Sequence, residues 1–474
     1  MNESRSFAKH YYQVIDHLER SKYLLPALLV INAIIKVFTI WNFNGQIVSE
    51  SGSNYQYVEL IKSGTHPALF DKAFRSIIGY IAFYLELVIG HPYAIFFFHV
   101  ILSLCTIFLV YHVVVQISGR RSAGLLTVMG LTVLMEYHLL TPVLYYQVFE
   151  VFFAAVLLWF LITAVFTEKI PVLALIYVFF PLTTYLSVFF RSTFRYVGYF
   201  TLCVSLVLAI NKMKKQSVRV FVLSVLTLFS FQLLPLTSFR ADHDIPANNF
   251  IFFGHTKYGG GEGYLKKEYQ NEYNSKLELY AQEKGLDANS REVINEFQTS
   301  EIKKYIKNDT FSWIGLQVKK IAYTFGIVPI KDNLTLLVSG RYPVDQWLAM
   351  GFLQGFFLLL LLAFILSFTA GVKLEDFKNP KILMLYMYFL YMVSATCLYG
   401  HYSERYRTVV MVTAILPIAS IMITRSSVKL NMWRKIIMIS ILCMFLISLT
   451  YQAYDALVVQ RERYIGWNNA ATMQ

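Results

Sequence analysis

Charge is scarce in this sequence. Asp, Glu, Lys and Arg make up 15% of its 474 residues, where a soluble domain carries about 25%. A water-soluble fold of this length would need more polar surface than that, so a soluble globular protein is excluded. Acid is the scarcer sign, with 29 acidic residues against 42 basic and a formal net charge of +13. The basic excess gathers in short connections between apolar blocks, which is the charge bias of membrane proteins and gives no reason to expect a nucleic-acid partner. Cysteine is rare too. Cys105, Cys203, Cys397 and Cys443 all fall inside apolar blocks, which argues against structural disulfides in the polar regions. Neither a C-x-x-C pair nor a His-rich tract at ligand spacing occurs, so no metal and no cofactor is expected. The strict apolar/polar alternation of a membrane barrel is missing as well. There is no cleavable-signal pattern, because about 23 polar residues precede the first apolar block and that block is too long for a signal core.

What the sequence does have is hydrophobic residues, 56% of the total, with 16% aromatic. They lie in blocks of roughly 17–25 residues, the length that crosses about 30 Å of hydrocarbon as a helix. Backbone groups in lipid must pair internally, which helices achieve within one segment. The expected fold is therefore an all-α polytopic membrane protein. Its spans are placed at 24–43, 92–115, 123–140, 146–166, 170–190, 196–210, 218–236, 347–370, 382–399, 409–423 and 436–451, about eleven in all.

Alternate connections, at 117–122, 167–169, 211–217, 371–381 and 424–435, are short and basic. This puts them and the N-terminus in the cytoplasm and the other connections outside. The chain then divides into an N-terminal transmembrane module, 1–236, a large outer loop, 237–345, and a C-terminal transmembrane module, 346–474. The first outer loop, 44–91, contains a short apolar stretch at 77–89, expected to lie in the interface. In the large loop the acidic and basic residues balance at 14 each, and 266–284 and 290–307 have helix-forming composition. Residues 311–325 set Trp313, Leu316 and Ile321 against Lys319 and Lys320, the pattern of a helix lying on a membrane surface.

Ionisable residues at the outer ends of spans mark the candidate site, because charge near lipid usually faces a cavity or a partner. They are Glu50 and Asp71 in the first loop, Arg75 beside the interfacial stretch, Glu150 opening the fourth span, Arg191 and Arg195 at the fifth–sixth turn, and Glu404, Arg405 and Arg407 before the tenth. In the large loop, His255 and Lys257 precede a glycine-dense run, Gly259-Gly260-Gly261-Glu262-Gly263, where backbone N–H groups can approach an anion or a sugar closely. Arginine forks recognise phosphate in partly desolvated places, and a neighbouring carboxylate can take a proton from an attacking hydroxyl. That combination suits transfer of a group from a lipid phosphate at the outer leaflet.

Several segments resemble one family. Glu50 ahead of Tyr55, Arg75 before 77–90, Tyr146-Gln147-Val148-Phe149-Glu150, Phe190-Arg191-Ser192, the helix pair ending the large loop, and Tyr402-Ser403-Glu404-Arg405-Tyr406-Arg407 before a span containing Pro417 are similar to the bacterial GT-C superfamily of polyprenyl-phosphate-sugar-dependent glycosyltransferases. Protein O-mannosyltransferase-like enzymes and lipid A aminoarabinose transferases belong to that superfamily. The family carries an Asp set slightly closer to the tyrosine; here the acid is Glu50, with Glu59 and Asp71 as the other candidates. The resemblance implies a bacterial inner-membrane enzyme with a periplasmic large loop. It implies inverting transfer from a polyprenyl-phosphate sugar to a glycan, lipid or protein acceptor. Glu50 would be the general base, and Arg75, Arg191, Arg405 and Lys257 would bind the donor phosphate. A polysaccharide polymerase or ligase, or a transporter of lipid-linked sugars, remains open on the residues alone.

Overall fold

The computed structural model describes residues 13–43, 50–65, 75–144, 146–233, 249–261, 265–324, 379–400 and 405–425, with a few isolated positions beyond. All regular structure among them is helical. Helix α1 (13–20) leads into α2 (Leu24–Phe43); α3 (Glu50–Lys62) and α4 (Arg75–Ile89) form the first loop. Next come α5 (Ala94–Ser118), α6 (Arg121–Val133), α7 (Met135–Leu139), α8 (Gln147–Phe166), α9 (Ile170–Ser187), α10 (Val197–Ile210) and α11 (Lys214–Leu233). The large loop holds α12 (Asn249–His255), α13 (Gln270–Lys284), α14 (Arg291–Asn308) and α15 (Thr310–Thr324), and the C-terminal part α16 (Pro380–Val393), α17 (Arg405–Val410) and α18 (Leu416–Arg425). Seven of the described helical segments are long and apolar enough to cross a membrane, and the chain is a multi-pass membrane protein. The expected span 347–370 and all but isolated residues of 436–451 lie outside the described residues.

Burial identifies the centre of the bundle. In Arg407–Thr424, 94% of residues are buried, against at most 67% in any other described span. This helix packs against α5, α6, α8 and α16. Two π-helical turns, Ser394–Leu398 and Met411–Ile415, lie in the helices on either side of the 399–404 connection. Such turns insert a residue into the helical register and concentrate at functional sites.

The face of the short basic connections is tied together by backbone carbonyls and carboxylates. Arg120 donates to the carbonyl of Thr424, and Lys381 donates to that of Gln116 at 3.3 Å. The carboxylate of Glu19 accepts the amides of Arg121 and Ser122 at 2.9 and 2.8 Å, pairing free N–H groups at the start of α6. Gly119, at φ +69°, ends α5 and donates its amide to Val115, the left-handed stop that glycine accepts without strain.

One expected span is not a single helix. Residues 123–140 break at Leu134, which is extended, so α6 has 13 residues and a length of only about 20 Å. A break at this depth frees backbone groups that lipid cannot pair, and side chains take them up. The ring Nε2–H of His138 donates to the carbonyl of Thr132 at 2.9 Å. From α2, Asn32 donates to the hydroxyl of Thr132 at 2.8 Å, and the ammonium of Lys36 donates to the carbonyl of Tyr137 at 2.9 Å and the hydroxyl of Thr141 at 3.3 Å.

The large loop has its own small core of Phe252, Phe253, Tyr258, Tyr273 and Phe297. The glycine run serves this core. A Cβ on Gly259 would lie 2.3 Å from the carbonyl oxygen of Phe253, and the amides of Gly260 and Gly261 donate back to Thr256 and Phe253 at 3.0 and 3.4 Å. Glycine is needed there for the turn's close return onto α12. Helix α15 keeps Leu316 buried and Lys319 exposed, as its pattern predicts, but departs from it at Lys320. Lys320 is fully buried, while Phe311, Ile314 and Val318 form an exposed apolar stripe at helical spacing.

Candidate functional site

On the side of the bundle carrying the large loop, charged side chains converge at helix ends. Arg407, in the first turn of α17 at the start of the central helix, is 1% exposed and forms an ion pair with Glu136 of α7, itself 6% exposed. The hydroxyl of Thr408 donates to the same carboxylate at 3.5 Å. Glu150, in the first turn of α8 and fully buried, pairs with the guanidinium of Arg191 at 3.4 Å. Phe190 stacks on Phe149 with centroids 4.6 Å apart, which fixes the turn carrying Arg191 against α8.

After Arg191 the chain makes a 3-10 turn, Ser192–Tyr196, that includes Arg195. The Tyr391 hydroxyl donates to the carbonyl of Thr193 at 3.2 Å, and the hydroxyls of Tyr196 and Tyr399 meet at 3.2 Å. The large loop docks at the same place. His255 donates from Nε2 to the carbonyl of Tyr399 at 3.0 Å and accepts at Nδ1 from the indole N–H of Trp313 at 3.2 Å. These two bonds define the neutral Nε2–H tautomer. Burial first, and then the positive charge of Lys320, push the imidazole down to about 4. Lys320 donates to the carbonyl of Leu398 at 2.7 Å and to the side chain of Gln317 at 3.1 Å.

Two further groups complete the layer. Lys36, in a spanning helix, is fully buried and has no carboxylate partner among the described residues. Gln147, one turn before Glu150, is also fully buried, and neither polar atom of its carboxamide has a hydrogen-bond partner among the described residues. Leaving a buried polar group unpaired costs about 1–3 kcal/mol. The desolvated layer thus holds Lys36, Lys320, Arg191 and Arg407 against Glu136 and Glu150. Among the described residues cations outnumber carboxylates in this layer, an arrangement that favours an anionic ligand because charges act more strongly in low dielectric.

Of the residues singled out from sequence, the structure brings Glu150, Arg191, Arg195, Arg407 and His255 to this layer. Lys257 makes its ion pair within the large loop, 2.9 Å from Glu272. Glu50 and Tyr55 stand on α3, Arg75 opens α4 and Arg405 opens α17, positions described for their backbone only. Asp71 and Glu404 lie outside the described residues. Glu136, Gln147, Lys36 and Lys320 were not among the sequence candidates. For Glu136 and Lys36 the available signal was a charge inside an apolar block, which marks a functional position. Among the described residues no three His, Cys, Asp or Glu side chains assemble as a metal-binding group.

No protein-family model and no curated protein matches the chain. Among solved structures, it is similar to crystal structures of the Archaeoglobus fulgidus oligosaccharyltransferase. For the apo form the identity is 15% and the TM-score 0.47, covering 95% of this chain and 56% of that one. For the complex with Zn and sulfate the identity is 13% and the TM-score 0.46, with 95% and 53% covered. For the form tethered to an acceptor peptide containing the NVT sequon the figures are 13% and 0.43, with 94% and 59% covered. The chain spans a little over half the length of these proteins.

Proposed function

We propose that this protein is a membrane glycosyltransferase that moves a sugar from a polyprenyl-phosphate carrier to a glycan, lipid or protein acceptor on the large-loop side of a bacterial inner membrane, the periplasmic side. The observation that carries the reading is the desolvated layer at the helix ends, rich in cations among the described residues. The acceptor hydroxyl gives its proton to a carboxylate of the first loop, Glu50 on α3, and its oxygen attacks the anomeric carbon. The bond from that carbon to the phosphate oxygen breaks in the same displacement, inverting the centre. Polyprenyl phosphate leaves with the electron pair, its charge met by Arg191, Arg405, Arg407 and Lys320, with Arg75 from the first loop. Lys257 stands apart from these groups, within the large loop, where it pairs with Glu272. With arginine and lysine supplying the electrostatics, the displacement needs no metal ion.

The test is release of free polyprenyl phosphate from a panel of radiolabelled polyprenyl-phosphate sugars by the reconstituted protein. Glu50→Gln should slow release by about 10²–10⁴-fold, the usual contribution of a general base, and Arg405→Ala should also reduce it. Folded wild-type protein that releases nothing from any donor would overturn the reading. A ladder of repeat units in place of single additions would replace it with a polymerase.

A further inference from the structure

The large loop contains a groove of about 470 Å³ away from the buried charge layer, lined by the turn after α12 and by α13 and α14. Four rings face it: Tyr258, Tyr280, Phe297 and Tyr305. Phe297 and Tyr258 are almost fully buried and belong to the loop's core, while Tyr280, set 5.7 Å from Phe297, is half-exposed. The ring platform is therefore rigid behind and accessible in front.

The lysines of the groove and Glu301 are paired and pre-positioned. Glu301, its side chain 15% exposed, is held at 3.0 Å by Lys304. Lys276 donates to Glu272 at 2.8 Å and to the Tyr258 hydroxyl at 3.0 Å, and Lys257 closes on Glu272 at 2.9 Å. Lys257 and Lys276 thus share Glu272, which stands behind the lining, and Lys304 pairs with Glu301; with Glu283 also on the lining, three lysines face three carboxylates, and the groove has no charge excess to attract a phosphate or any other anion. Apolar ring faces with a few fixed, charge-assisted hydrogen-bonding groups suit a ligand with one C–H face and an edge of hydroxyls. That is an uncharged pyranose. The volume is in the range of small-ligand sites, about 300–1,000 Å³, and holds a short oligosaccharide.

We infer that this groove binds an uncharged oligosaccharide, and that this saccharide is the acceptor glycan; its role as acceptor rests on the transferase reading above. The rings stack on the sugar face, and Glu301 and Lys304 take its hydroxyls.

Saturation-transfer NMR on the full chain in lipid nanodiscs, prepared without glycoside detergent, tests it. The probes are maltotriose, cellotriose, mannotriose and N-acetylated chitotriose, with sialyllactose as the charged counterpart. At least one neutral trisaccharide should receive saturation, and sialyllactose should not. Its affinity should fall at least tenfold in Glu301→Gln. The same loss is expected in Leu279→Trp, which fills the groove from an exposed rim position and leaves the core untouched. Transfer to none of the neutral probes, preference for sialyllactose, or equal binding in wild type and in both folded variants would overturn the inference. Donor release without saccharide binding would remove the groove and leave the transferase. Saccharide binding by a protein that releases no donor would keep the groove as a sugar site and remove both the transferase and the acceptor role.

Discussion

Glu136 and Arg407 are both almost sealed from solvent, so neither can lose the other cheaply. Removing one member of a buried pair leaves an uncompensated charge and costs about 3–5 kcal/mol, whereas replacing both by apolar side chains of similar size is often near neutral. Arg407→Ala should therefore lower the thermal transition in nanodiscs sharply, and Glu136→Leu with Arg407→Met should recover most of it. A double variant no more stable than the single one would contradict this pairing. Arg407 was legible in the sequence as a cation at the mouth of a span. Glu136 was not, because an unbroken apolar reading of 123–140 hides a residue whose role depends on a break. His255 was legible only as a neighbour of glycines, and its partners come from residues 313 and 399, beyond the reach of local pattern. Its docked imidazole binds a proton near pH 4, and an unfolded one near 6.5. Between those values the unfolded or undocked state holds more protons, so docking is at full strength above about pH 6.5 and weakens as pH falls toward 4. Hydrogen-exchange protection of 249–261 and 310–324 should drop across that window in the wild type and change less in His255→Gln. Parallel profiles would show that His255 is not the group responsible.

At the scale of elements, composition and periodicity found α13, α14 and α15 to within a few residues and the long spans nearly as well. They failed where a helix is shaped by its neighbours. The break at Leu134 is held by Asn32, Lys36 and His138, and the burial of Lys320 in α15 by an acceptor on residue 398. The packing of α3 on α4 was likewise invisible. A Cβ on Gly79 would meet Tyr57 at 2.7 Å, with the backbone of Tyr57 and Val58 just behind at 3.3 and 3.4 Å. The backbone cannot yield as a side chain would, so Gly79→Ala should push α3 away at a cost of about 1–3 kcal/mol. Because α3 carries Glu50, turnover should fall more than membrane insertion does. Unchanged turnover would mean that the position of α3 is not critical.

For the molecule as a whole, the alternation of basic connections predicts sidedness from charge alone, with no knowledge of packing. Single cysteines in a cysteine-free background read it directly. A cysteine at Leu279, 57% exposed, should react with an impermeant maleimide on intact spheroplasts. One at Lys215, with its side chain 61% exposed, should react only after permeabilisation. Labelling of both from one side would break the alternation. The helix that fills the centre of the bundle is also among the last described parts of the chain to be made. Residue 407 follows residue 136 by 271 positions, a delay of roughly 15–50 s at ordinary rates of synthesis. During that interval Glu136 sits in a half-built protein without its guanidinium, and the N-terminal helices surround a vacancy where the central helix will stand. The central helix therefore enters late, as a plug rather than a cap, and a chain cut short before it leaves a hollow bundle with an orphaned acid inside, a form that membrane quality control can recognise.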